Sequence, residues 1–209
     1  MKEGSDGALV ALTGVRFSWP GAPPVVDIPR LEVARGERVF LRGPSGSGKS
    51  TLLSLIAGVV TPQQGDLRVL GQELRNLTGA ARDRLRADHV GFIFQMFNLI
   101  PYLSVIENVC LPCGFSDVRR ARAIKAGGTV RSEAARLLEH LDMATPLLAK
   151  RATDLSVGQQ QRVAAARALI GSPELIIADE PTSSLDADRR RAFLDLLFAE
   201  CEREHAALI

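Results

Sequence analysis

The sequence predicts an α/β fold: a sheet packed with helices that carries a smaller, helical subdomain. Three observations predict it. Short apolar runs bounded by glycine alternate with longer helical runs, a Gly/Ser-rich loop at 43–50 stands between one such β run and a helix, and no strong strand signal appears from Met96 to about Asp154. The 209 residues are ample for one core. With 46% hydrophobic and 24% charged residues the chain matches globular averages, which sets disordered, collagen-like and coiled-coil classes aside.

The elements follow in order. Residues 33–42 (VARGERVFLR) turn at Gly36 and continue as a short β run ending at Gly43. Residues 49–60 are apolar and free of proline, so they read as a buried helix ended near Gly58 and Pro62. Residues 65–71 alternate like a strand and its turn, and 89–95 (HVGFIFQ) read as a buried strand. In the helical stretch, 131–141 put Ala134, Leu137, Leu138 and Leu141 on one face, and Gly127-Gly128 read as a loop between helices. A helix over 156–170, an all-apolar strand over 175–178 and a helix over 188–203 complete the pattern; the final apolar run from His205 to Ile209 reads as a strand that has only begun.

Charge and cysteine usage narrow the function. Lys and Arg number 26 against 24 Asp and Glu, and a net charge of +2 does not announce a nucleic-acid binder. No run approaches the roughly 18–20 apolar residues that cross a bilayer, and the N-terminus has no signal-peptide core. Three cysteines argue for a reducing compartment. Cys110-Leu111-Pro112-Cys113 lacks the thioredoxin-like flanks or further ligands that a redox or zinc site needs, and reads as small residues near a helix end. The basic stretch from Arg119 to Lys125 reads as a solvated helical face.

Gly43-Pro44-Ser45-Gly46-Ser47-Gly48-Lys49-Ser50 matches G-x-x-x-x-G-K-[ST]. Glycines let successive N–H groups turn inward around phosphate oxygens, and a helix starting at Lys49 aims its unpaired N–H groups and positive dipole end at the same anion. Lys49 is placed to reach the β and γ phosphates, and the Ser50 hydroxyl to bind Mg²⁺. The second half of the site is Asp179-Glu180, at the C-terminal end of a strand buried on both faces, where ligands bind in open α/β sheets. Asp179 is expected to hold the Mg²⁺ shell, and Glu180 to orient or deprotonate an attacking water.

Between the halves, Leu155-Ser156-Val157-Gly158-Gln159 opens a helix with Ser156 as a good N-cap. This segment resembles the LSGGQ signature of ATP-binding cassette (ABC) ATPases, with Val157 in place of the first of the paired glycines. The resemblance covers nearly the whole chain. It implies a P-loop NTPase fold with a mixed sheet, an N-terminal antiparallel β part, a nucleotide-binding core over 1–95 and 157–209, and a helical subdomain over 96–156. By the same resemblance Trp19 stacks on adenine, Gly43 through Ser50 and Thr51 bind the phosphates, Gln95 touches Mg²⁺ and water, and Asp186 ends the D-loop Ser184-Leu185-Asp186. Members form head-to-tail dimers, so Ser156, Gly158 and Gln159 would serve the ATP held by the other protomer. Residues 94–101 and 103–109 look like the lipoprotein-releasing and macrolide-exporter group, where this region docks a transmembrane permease subunit.

The resemblance therefore implies an ATP-hydrolysing subunit that uses ATP and Mg²⁺, drives a separate permease, and lies on the cytoplasmic face of the cell membrane, held there only through its partner. Two other classes compete. A soluble relative acting on DNA or ribosomes would carry long coiled coils or a fused second cassette, and this chain shows a short insert and one cassette. A non-hydrolysing nucleotide switch is disfavoured by Glu180. The family's switch histidine would follow a strand beyond Ile209, so the chain is expected to be C-terminally incomplete and to hydrolyse ATP poorly alone.

Overall fold

The structure is a computed structural model that describes residues 7–183 and 185–209. Its internal contacts divide it into two compact units, one running up to Arg86 together with Ala207–Ile209, the other Ala87–Ala206.

The first unit is built on an antiparallel sheet. Strand β1 (Ala8–Ser18) pairs with β2 (Pro24–Ala34) on one side and with β3 (Gln64–Val69) on the other, and β3 turns back into β4 (Gln72–Glu73). Along β1 every second residue is buried at Val10 and Leu12, then at Val15 and Phe17, with Leu9 buried beside the first pair. The change of parity falls at a register irregularity between Thr13 and Arg16, where one extra residue returns the next side chains to the core face. Helix α1 (Lys49–Ile56) buries Leu52, Leu53, Leu55 and Ile56. Helix α2 (Gly79–His89) leads out of the unit.

The β run expected up to Gly43 is shorter than its sequence suggests. Arg38 forms a parallel bridge with Leu208 of β7 (Ala207–Leu208), with Val39 N donating to Leu208 O at 2.8 Å and Leu208 N to Glu37 O at 2.9 Å. Beyond this point Phe40 is 85% exposed.

The second unit holds the parallel pair β5 (Val90–Ile93) and β6 (Leu175–Ala178), in register from Val90↔Leu175 to Ile93↔Ala178. Around it lie α3 (Val105–Phe115), α4 (Asp117–Gly127), α5 (Val130–His140), α6 (Val157–Leu169) and α7 (Ala187–Arg203). The expected face of α5 is buried, with Ala134, Leu137, Leu138 and Leu141 at 1% exposure or less. Helix α6 buries Ala164, Ala165, Ala166 and Ala168, small side chains that let neighbouring backbones approach closely. Asn108 of α3 is fully buried: its amide nitrogen donates to the carbonyls of Ile100, Leu103 and Ser104, and its oxygen accepts from Ile100 N at 2.7 Å.

One expectation is corrected here. The basic stretch is a solvated face only at Arg120 and Lys125. Arg119 is 3% exposed, and half-buried Arg122 donates to Ser172 O at 2.9 Å and to Glu174 Oε1 at 2.8 Å. The inward side of α4 meets main-chain carbonyls and a carboxylate that need donors, so cations there are hydrogen-bonded rather than hydrated.

Candidate functional site

In the first unit, residues 43–50 form an irregular loop that runs directly into α1. Ser47 N donates to Pro44 O at 3.2 Å, which closes the turn. Gly48 caps α1 with φ 87°. A Cβ there would lie 2.4 Å from Val25 O, so both the angle and the close approach of β2 demand glycine. Helix α1 has neither a side-chain cap nor an acid in its first turn, which leaves its N-terminal N–H groups and positive dipole end for an external anion. Helices α3, α4, α5 and α7 each carry a first-turn carboxylate. Lys49 Nζ folds back over the loop and donates to Gly43 O at 2.9 Å and Pro44 O at 3.1 Å. These are weak partners that an anionic oxygen would displace. Pro44, Ser45 and Ser50 are exposed and Thr51 half-buried, and a cavity of about 310 Å³ is lined by Ser47, Gly48 and Lys49 together with Val26, Leu41 and Arg42.

Trp19 belongs to the same unit, just past the end of β1. Its ring meets Phe17 edge to face at 5.0 Å and is 45% exposed, so part of the indole surface is open to a further contact.

In the second unit the parallel pair delivers three of the expected residues to one edge. Asp179 N donates to Ile93 O at 3.0 Å, which extends the ladder past β6 and sets Asp179 beside the segment that leads to Gln95. Gln95 stands exposed in a turn closed by Phe97 N donating to Phe94 O at 2.9 Å. Glu180 is exposed, with φ 47°. That left-handed geometry is uncommon outside glycine, and its carbonyl accepts from Ser183 N at 3.2 Å.

The signature segment opens α6 with a full capping box. Ser156 Oγ accepts from Gln159 N at 3.4 Å, and Gln159 Oε1 accepts from Ser156 N at 3.0 Å. Like α1, α6 has no acid in its first turn. Val157 is half-exposed and points away from the core, and a Cβ on Gly158 would meet nothing within 4 Å. The valine in the first glycine position is therefore sterically tolerated. A cavity of about 560 Å³ is lined by Ser156, Gly158, Gln159, Arg162, Leu185 and Arg189. Asp186 caps α7, accepting from Arg189 N at 2.9 Å; Ser184 of the expected D-loop lies outside the described residues.

The structure adds residues that sequence reasoning missed. Arg167 of α6 donates to Asn98 O at 2.6 Å and to Phe97 O at 2.5 Å, fastening the loop that carries Gln95. Gln161 donates to Pro181 O at 2.5 Å, next to Glu180. The signal available for Gln161 was its spacing: Gln161, Ala164, Ala165 and Ala168 share one buried helix face. Glu174 is another. Burial pushes its carboxyl up, but hydrogen bonds from His89 and Arg122 outweigh burial and hold it at about 2. Burial pushes the Cys113 thiol up to about 11, opposite to what a reactive thiolate needs.

The ABC transporter family matches residues 26–183. An uncharacterized ABC transporter ATP-binding protein of Escherichia coli, YbbA, is 45% identical over 179 residues, covering 86% of this chain and 75% of the relative. The lipoprotein-releasing system ATP-binding protein LolD of Maricaulis maris is 42% identical over 196 residues, 92% of this chain and 82% of that one. Among solved structures, a dimeric post-hydrolysis state of an ATP-binding cassette bound to ADP and Pi matches with TM-score 0.79 at 31% identity, covering 95% of this chain and 86% of that one.

Proposed function

This chain belongs to the ABC transporter family, and from that premise we propose that it is the ATP-binding and ATP-hydrolysing subunit of a transporter, powering a separate transmembrane permease through ATP-driven head-to-tail dimerisation. The observation that carries the proposal is the start of α1: an uncapped helix N-terminus free of acids, entered through Gly48, with Lys49 donating to two loop carbonyls.

In the proposed cycle Lys49 leaves those carbonyls for the β and γ phosphates, while α1 supplies N–H donors and Trp19 stacks on the base. Ser50, Gln95 and Asp179 offer a hydroxyl, an amide oxygen and a carboxylate, the hard-oxygen donors that Mg²⁺ takes, and each is exposed or half-buried. When bound, the metal neutralises charge on the phosphate oxygens. Glu180 accepts a proton from water as the water oxygen bonds to the γ-phosphorus and the bond from that phosphorus to the ADP oxygen breaks. The N-terminus of α6, with Ser156, Gly158 and Gln159, faces the ATP of the second protomer, and Asp186 closes the same interface. Residues 96–156 serve as the helical subdomain inserted into the nucleotide-binding core.

The permease is proposed to dock where Phe94, Met96 and Tyr102 are exposed, at 38%, 80% and 75%. Among the described residues no helix is long and apolar enough to cross a membrane; attachment to the inner face of the cell membrane runs through that partner.

The test is phosphate release and ATP binding by paired variants. Glu180→Gln is expected to abolish turnover while sparing ATP binding, and Lys49→Ala to lose both. Hydrolysis at the wild-type rate in Glu180→Gln would contradict the role given to that carboxylate.

A further inference from the structure

We propose that Arg119 is a positioning residue for Gln95: its buried guanidinium gathers the C-terminal carbonyls of α6 against the start of β5, and thereby fixes the loop on which Gln95 is carried. The inference rests on the reading of Gln95 as a residue that touches the catalytic centre.

At 3% exposure Arg119 is out of reach of any nucleotide. Its Nε donates to Ile170 O at 2.7 Å and its Nη2 to Ala168 O at 2.7 Å, with a further bond from Nη2 to Ile170 O. Nη2 also approaches Arg167 O at 3.4 Å, and Nη1 lies 3.5 Å from Val90 O at the first residue of β5. One planar, charged fork therefore serves the negative end of α6 and the beginning of the neighbouring strand at once. A buried cation is costly unless hydrogen-bonded in this way. Arg119 is itself held, since its N–H donates to Ser116 Oγ at 3.0 Å and Ser116 Oγ donates to Asp88 at 2.5 Å.

Two routes lead from this junction to Gln95. Along β5, Gly91 packs so closely that a Cβ there would lie 2.2 Å from Ala168 O, one of the carbonyls Arg119 holds. The strand runs on to Ile93, two residues before Gln95. Along α6, Arg167 reaches from beside the same carbonyls to Phe97 O and Asn98 O, two residues with φ of 57° and 48°. Left-handed backbone at such residues persists only where the surroundings hold it. Gln95 is thus fastened on its N-terminal side by β5 and on its C-terminal side by Arg167, and both fastenings meet at the end of α6.

The experiment measures ATP hydrolysis and ATP affinity of the full chain for Arg119→Met, which fills the space without donors, and Arg119→Lys, which keeps a point charge. Each is made alone and with Gln95→Ala. Arg119→Met is expected to lower kcat on the order of tenfold with ATP affinity unchanged, because sub-ångström displacement of a positioned group is enough for such a loss. Arg119→Lys should fall between. In the Gln95→Ala background the further loss from Arg119→Met should nearly vanish, as expected of two residues acting as one unit. An undiminished loss in that background, an equal fall in affinity, a wild-type kcat in folded Arg119→Met, or failure of both variants to fold would each overturn the proposal. Wild-type turnover by Gln95→Ala alone would instead overturn the reading of Gln95 beneath it.

Discussion

At the scale of single residues, the backbone at Gly48 fixes the phosphate loop. Gly48 combines φ 87° with a backbone oxygen 2.4 Å from where a Cβ would stand. Gly48→Ala is expected to cost roughly 1–3 kcal/mol of stability. It should also weaken ATP binding, measured by thermal unfolding and by nucleotide titration. Glu174 gives a pH-dependent prediction. Its folded carboxyl is held at about 2, below its ordinary value of 4.5, so its contribution is present above pH 4.5 and is lost as pH falls toward 2. Removing its donor with Arg122→Ala should shrink the acid-dependent part of the unfolding free energy, read from denaturant melts across that range. The phosphate-loop residues were legible from sequence because the motif is itself the chemistry. Arg119 was not: in a run of cations nothing marks which one turns inward, since its partners are main-chain carbonyls supplied by α6 and β5.

At the scale of elements, local signals sufficed wherever the element carries its own boundary. Strand β6 spans the four predicted apolar residues, and α6 and α7 begin where Ser156 and Asp186 accept the first-turn N–H bonds. Residues 37–42 differ: they make a bridge from Arg38 to Leu208 in place of the expected strand. The caps yield a further prediction. Ser156→Ala removes the hydroxyl half of the capping box and should cost about 1 kcal/mol of stability. If the N-terminus of α6 serves ATP in trans, hydrolysis should fall by far more than that loss of stability explains. A matched Ser104→Ala, which breaks the capping box of α3, should cost similar stability with a smaller effect on hydrolysis.

At the scale of the whole molecule, the candidate residues occur in both units: the phosphate loop and Trp19 belong to one, and Gln95, Asp179, Glu180 and the signature helix to the other. Sequence motifs point to each of these candidates, because each sits on a short segment with its own turn chemistry. The fastening residues Arg119, Arg167 and Asn108 reach distant segments or neighbouring turns, and only the folded chain displays them. In the proposed function, ATP joins two copies of this chain. Sedimentation velocity of Glu180→Gln, which should bind ATP without consuming it, tests this most directly. A dimer is expected in saturating ATP with Mg²⁺, a monomer without nucleotide, and a monomer in both conditions for Glu180→Gln combined with Lys49→Ala. A Glu180→Gln chain that binds ATP yet stays monomeric, or a dimer indifferent to nucleotide, would contradict it.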